Sequence, residues 1–199
     1  MQASLSGSKF ITYIFASNIP EAVPYLAYIL LKIPLPLTII QILAVDLGTD
    51  MLPALALGAE KPSQYVMKQP PRRMKERLLD LPLILRSYLF LGPIEAAACM
   101  FGFFWVLYNG GWTWGIMISP NNILYLQATT ACLTAIIITQ IGNVFACRSA
   151  KMSVFQIGFF SNRLIFAGIA VEILLQIFIV YHPIGNKIFT TAPLDFKVW

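Results

Sequence analysis

The stretch Leu37-Thr38-Ile39-Ile40-Gln41-Ile42-Leu43-Ala44-Val45-Asp46-Leu47-Gly48-Thr49-Asp50-Met51-Leu52-Pro53-Ala54-Leu55-Ala56-Leu57-Gly58 carries only two charged side chains, Asp46 and Asp50. Crossing hydrocarbon as a helix takes roughly 20 apolar residues, so this stretch reads as a membrane span. Its two acids stand four residues apart, on one face of a helix and close to its middle. A charge near the bilayer centre costs roughly 2.5 to 3.5 kcal/mol on insertion scales, and an ion pathway is the default reason for tolerating it.

Four more stretches qualify as spans, at about 10–31, 83–108, 123–147 and 164–181, and none alternates as a strand would. The expected fold is an all-α membrane protein, a bundle of about five transmembrane helices forming one partial membrane domain over residues 1–199. Pro34 and Pro36 leave only a tight reversal between the first two spans, which makes those spans antiparallel neighbours.

The composition agrees. Hydrophobic residues make up 58% of the chain and charged residues 12%, with a mean hydropathy of +0.72, far from an ordinary soluble domain. The net charge of +5 could suggest an anionic partner such as nucleic acid. Position argues otherwise, because Lys61, Lys68, Arg72, Arg73, Lys75, Arg77 and Arg86 fall in one short loop, and Arg148, Lys151 and Arg163 in another. By the positive-inside rule these loops are cytoplasmic, the N-terminus is inside and the C-terminus outside. Trp112 and Trp114 supply an aromatic belt at the outer interface. The partner is the lipid bilayer, not nucleic acid. Cys99, Cys132 and Cys147 show no metal-binding spacing and read as small packing residues, and the first nine residues lack the apolar core of a cleaved signal peptide.

The chemistry is expected in the first two spans. Asn18 and Glu21 share one helical face as Asp46 and Asp50 share another, and the short reversal brings both pairs to a similar depth. Pro20 and Pro24, and Gly48 and Pro53, stand beside these polar residues and are expected to break both helices near mid-membrane. Backbone carbonyls freed there can coordinate a cation. Oxygen ligands with no His or Cys favour alkali or alkaline-earth ions over zinc or copper. The alternative is that prolines kink two helices around protonated, packed acids; it weighs more on Glu95 and Glu172, which stand singly in their spans. Gln140 and Asn143, with Thr134 and Thr139 nearby, are either ligands or interhelical glue. His182 is interfacial.

The motifs Ser17-Asn18-Ile19-Pro20-Glu21 and Val45-Asp46-Leu47-Gly48-Thr49-Asp50-Met51-Leu52-Pro53-Ala54 resemble those of the type II P-type ATPases, nearest the sodium/potassium pump branch. The Ile33-Pro34-Leu35-Pro36-Leu37 turn, Lys151-Met152-Ser153-Val154-Phe155-Gln156 and Asn162-Arg163-Leu164-Ile165-Phe166 extend the resemblance along the chain. It implies that the five spans are that family's helices five to nine, with the tenth beginning just after Trp199. It further implies that Asn18, Glu21, Asp46, Thr49 and Asp50 are cation ligands. Tyr13, Gln140, Asn143 and Glu172 match positions near an additional sodium site, with Asn143 departing from the expected aspartate; Glu95 is the weakest of the ligand candidates. Ser17 stands where proton/potassium pumps carry a lysine.

The 199 residues contain no Asp-Lys-Thr-Gly-Thr phosphorylation motif and no nucleotide or actuator domain. No catalytic residue or bound cofactor is expected among them. ATP and magnesium would belong to the parent pump, whose remaining helices and cytoplasmic domains are the implied partners, in the plasma membrane. The competing expectations are a calcium pump fragment and a freestanding, ATP-independent channel or membrane partner.

Eleven of the 14 Lys and Arg residues fall on the expected cytoplasmic side. Cysteines engineered near Arg72 and Arg148 are therefore expected to resist impermeant thiol reagents applied outside intact cells; labelling from outside would reverse the topology.

Overall fold

A computed structural model describes residues 2–60, 81–149, 154–195 and 198. Among them are five helices long and apolar enough to cross a membrane: Gly7–Leu31, Ile39–Gly58, Leu81–Asn109, Ile123–Cys147 and Arg163–Tyr181, here the first to fifth spans. Their bounds lie within a few residues of those expected. Lys61 to Arg77 of the basic loop, and Lys151, Met152 and Ser153 of the Lys151–Gln156 motif, fall outside the described residues.

The first span differs from the expectation of a break. It belongs to one helix, Gln2–Leu31, that passes unbroken through Pro20 and Pro24. Pro24 cannot donate to the Pro20 carbonyl, as helical geometry would otherwise require. The Cys99 thiol of the third span donates to that carbonyl instead, at 3.8 Å. A neighbouring helix thus relieves the cost of the proline.

The second span does break its regular pitch. Ile39–Ala44 and Met51–Gly58 are α-helical, and between them Val45–Thr49 forms a π-helical turn. The Asp50 amide donates to the carbonyl of Val45, five residues back, at 2.9 Å. The Thr49 hydroxyl donates to the same carbonyl at 3.0 Å. A second π turn, Ser87–Leu91, lies in the third span before Gly92–Asn109, and nothing in the sequence reading anticipated it. Such turns insert one residue into a helix and re-aim the side chains around them.

The bundle closes through small residues and caps. A Cβ on Gly168 of the fifth span would lie 3.2 Å from the Pro53 backbone nitrogen, so glycine lets the fifth span cross the second at backbone distance. The Asn122 and Asn162 side chains accept from the amides of Leu124 and Leu164 and cap the fourth and fifth spans.

The two ends of the bundle are tied differently. At the expected outer end the Tyr125 hydroxyl donates to the Leu35 carbonyl at 2.8 Å, pinning the proline reversal to the fourth span. After the short helix Pro183–Phe189 the chain returns across the spans: the Ala192 amide donates to Thr130 Oγ1 at 3.0 Å and Gln127 Nε2 donates to the Pro193 carbonyl at 3.1 Å. Phe104, Tyr108, Trp112 and Trp114 pack ring against ring at this end, with Phe104 stacked on Tyr108 and Trp114.

At the opposite end Arg148 is almost fully buried. Its Nε donates to Glu60 Oε1 at 2.7 Å, its Nη1 to the carbonyls of Gly158 and Phe159, and its Nη2 to Ser161 Oγ. Lys9 Nζ donates to Glu60 Oε2 at 2.7 Å, joining the first span to the same cluster. Arg86 Nη2 donates to the Ala146 carbonyl at 2.7 Å, closing the end of the fourth span.

Removing one partner of a buried ion pair costs about 3 to 5 kcal/mol, because the other charge is left uncompensated. Because Lys9 stays paired with Glu60, Arg148→Met is expected to lower the unfolding free energy by the lower part of that range, about 3 kcal/mol, in mixed micelles, and Arg148→Met/Lys9→Met, which leaves Glu60 without either cation, is expected to cost more. Wild-type stability in Arg148→Met would contradict this account of the pair.

Candidate functional site

The π turn sets the aim of the second span's acids. Without it, Asp46 and Asp50 would present at ordinary helical spacing; with it, the backbone between them is wound more loosely. On the facing helix Glu21 follows Pro20 directly. The outcome is that carboxylate oxygens of Glu21, Asp46 and Asp50 all lie within 4.8 Å of one another. At that separation two ionised carboxylates such as Glu21 and Asp50 repel by about 3 kcal/mol at an effective dielectric of about 20. A cation among them removes the repulsion and gains attraction from each.

The three acids differ in surroundings. Asp50 is buried, and its Oδ1 accepts from the Tyr13 hydroxyl at 2.9 Å. Its Oδ2 is buried without a partner among the described residues, as is Glu21 Oε1. Asp46 is exposed, as is Asn18. A cavity of about 220 Å³ lies between the first two spans, lined by Ser17, Asn18, Asp46, Asp50 and the apolar Phe10, Ile14, Met51, Ala54 and Leu55. An open groove of about 490 Å³ continues from it, lined by Asn18, Glu21, Ala22, Tyr25, Leu26 and Ile42. Asn18 lines both, Glu21 lines the groove, and Asp46 and Asp50 line the cavity. Buried Thr49 sits one residue from Asp50, its hydroxyl proton engaged by the Val45 carbonyl.

The other candidates lie in the interior. Glu95, Gln140, Asn143 and Glu172 are all buried. Both oxygens of Glu95 and of Glu172, both amide atoms of Gln140 and Nδ2 of Asn143 have no hydrogen-bond partner among the described residues. Asn143 Oδ1 accepts from the Cys147 thiol at 3.2 Å. Tyr13 is itself fully buried, and its hydroxyl bonds Asp50.

One buried polar residue, Gln176, was not among the expected site residues. Gln176 is buried and its Nε2 donates to Thr134 Oγ1 at 2.7 Å, while its Oε1 has no partner among the described residues. The signal for Gln176 was available, because it stands one helical turn beyond Glu172 on the same face.

Buried polar groups are ordinarily hydrogen-bonded, so this many open donors and acceptors mark a region built to meet something else. Oxygens dominate the set, and the one thiol that touches it, Cys147, donates to Asn143 Oδ1. The arrangement suits a hard cation with oxygen ligands.

Comparison with known proteins yields a consistent family. Residues 34–199 match the family described as cation transporting ATPase, C-terminus. The sodium/potassium-transporting ATPase subunit alpha of Hydra vulgaris is 34% identical, with 96% of this chain and 21% of that protein aligned. The sodium/potassium-transporting ATPase subunit alpha-1 of Catostomus commersonii is 32% identical and the potassium-transporting ATPase alpha chain 1 of Xenopus laevis 31%, with the same coverage. The chain thus spans about a fifth of the length of these relatives.

A hydrogen bond to a charged group contributes about 1.5 to 3 kcal/mol, so Tyr13 and Asp50 should be thermodynamically coupled. A double-mutant cycle of Tyr13→Phe and Asp50→Asn, read from unfolding in mixed micelles, is expected to show a coupling of about 1.5 kcal/mol or more. Additive effects would mean that the two side chains do not meet.

Proposed function

The chain belongs to the family of cation-transporting ATPase C-termini, and from that premise we propose that its five spans supply the cation seat and part of the translocation path of an ATP-driven pump. The observation that carries this reading is the meeting of Glu21, Asp46 and Asp50 within 4.8 Å, from two helices, beside a π turn inside the membrane-spanning region. In this reading Asn18 and Thr49 complete the oxygen set around the three acids, and Tyr13 holds Asp50 in place. Gln140, Asn143 and Glu172, with Glu95 in reserve, form a second, interior seat reached past Tyr13.

The cation is cargo, and sodium or potassium is the reading that the relatives' names and the hard oxygen set support together. The N-terminus is cytoplasmic, the C-terminus outside, and the membrane is the plasma membrane. ATP and magnesium act elsewhere in the pump, since the 199 residues carry no phosphorylation motif. Its other helices would cover the groove where Asn18 and Asp46 are exposed.

The chemistry follows from charge. Three close carboxylates form a deep negative well only when desolvated, and their mutual repulsion makes the filled state more favourable than the empty one. A pump works by changing that balance. Moving the first span against the second by a small distance would alter the separations among the acids and thereby the affinity.

In the complete pump, Asp46→Asn and Asp50→Asn are each expected to weaken cation-activated phosphorylation, raising the half-activating cation concentration by roughly tenfold, equivalent to about 1.4 kcal/mol. Glu95→Gln should shift it less, because Glu95 stands outside the three-acid cluster. Unchanged cation activation in both aspartate variants would defeat this assignment.

A further inference from the structure

Two buried thiols lie apart from the oxygen-rich sites. Cys99 of the third span and Cys132 of the fourth are free and have no exposed surface. Both belong to one apolar core cluster. The backbone builds this proximity. A Cβ on Gly102 would meet the Ala131 carbonyl oxygen at 3.2 Å and the Ala135 Cβ at 3.6 Å, so the third and fourth spans all but touch there. Cys99 precedes that crossing by less than one helical turn and Cys132 follows Ala131 directly. Cys99 also faces the first span, where its thiol donates to the Pro20 carbonyl.

We propose that Cys99 and Cys132 form a soft-metal site, a seat for one thiophilic divalent ion of linear coordination, represented by mercury(II). Thiolate sulfur selects soft metals, whereas the carboxylate cluster selects hard ones, so the two sites bind different classes of ion. Charge decides the valence. A divalent ion held by two thiolates is uncharged and suits an apolar core; a monovalent ion such as copper(I) would leave a net negative charge there, which is costly to bury.

The reaction balances without redox chemistry. Neutral mercury(II) chloride enters through the lipid; each thiol loses its proton and forms one metal–sulfur bond. Two chlorides leave with the two protons, and no electrons are transferred. Binding removes the proton that Cys99 donates to the Pro20 carbonyl, one residue before Glu21.

The test uses the chain in lipid vesicles with mercury(II) chloride alone. Intact-mass measurement is expected to show one ion retained per chain at low excess. After denaturation, two of the three cysteines should resist a maleimide, and peptide mapping should assign the protection to Cys99 and Cys132. Cys99→Ser and Cys132→Ser should each reduce retention to the level of the double variant, and Cys147→Ser should leave it unchanged. Protection mapped to Cys147, retention in both single variants, or no retained ion would overturn the proposal. The mapping on the unsubstituted chain decides the matter even if a serine variant misfolds.

Discussion

Carboxylates inside a membrane span need compensation, and the architecture is organised around that requirement. Glu21, Asp46 and Asp50 lie within 4.8 Å of one another although each is costly to bury alone. Burying them singly against lipid would be unfavourable; grouping them adds repulsion but creates a site at which one cation can compensate several charges. The Pro34 and Pro36 reversal, the π turn at Val45–Thr49 and the Tyr13–Asp50 hydrogen bond serve this grouping. The buried Lys9–Glu60–Arg148 cluster solves the same problem differently, by pairing opposite protein charges.

The contrast between these clusters relates structure to function. Glu60 meets two cations from its own chain and is thereby fixed. Asp50 receives a neutral hydroxyl, and Glu21 Oε1 and Asp50 Oδ2 keep buried, unpartnered oxygens among the described residues. A structural ion pair satisfies its members, whereas the site proposed for the three acids has to leave them open to an exchangeable ion. The interior group of Glu95, Gln140, Asn143 and Glu172 shares that openness.

Much of this was legible in the sequence, for physical reasons. Span length follows from hydrocarbon thickness, so all five helices could be placed to within a few residues. The acid pairs could be matched in depth because a proline reversal fixes the register of two adjacent helices. Local backbone response was harder to read. Pro20 and Pro24 predicted a break that the structure lacks, because a thiol from another helix serves the freed carbonyl. The π turn at Ser87–Leu91 lies just before Pro93, which cannot donate to the Leu89 carbonyl, but a lone proline does not say whether a helix kinks, ends or loosens. Spacing placed Gln176 on the face of Glu172, but its bond to Thr134 of another span could not be read from helical spacing.

The central claim is that the three-acid cluster seats a cation, and anomalous diffraction tests it most directly. Crystals of the complete pump would be soaked separately in rubidium and strontium, as scattering substitutes for potassium and calcium. The account predicts an anomalous peak within ligand distance of Glu21, Asp46 and Asp50 for at least one of the two ions. Well-ordered carboxylates with no peak among them in either soak would contradict it.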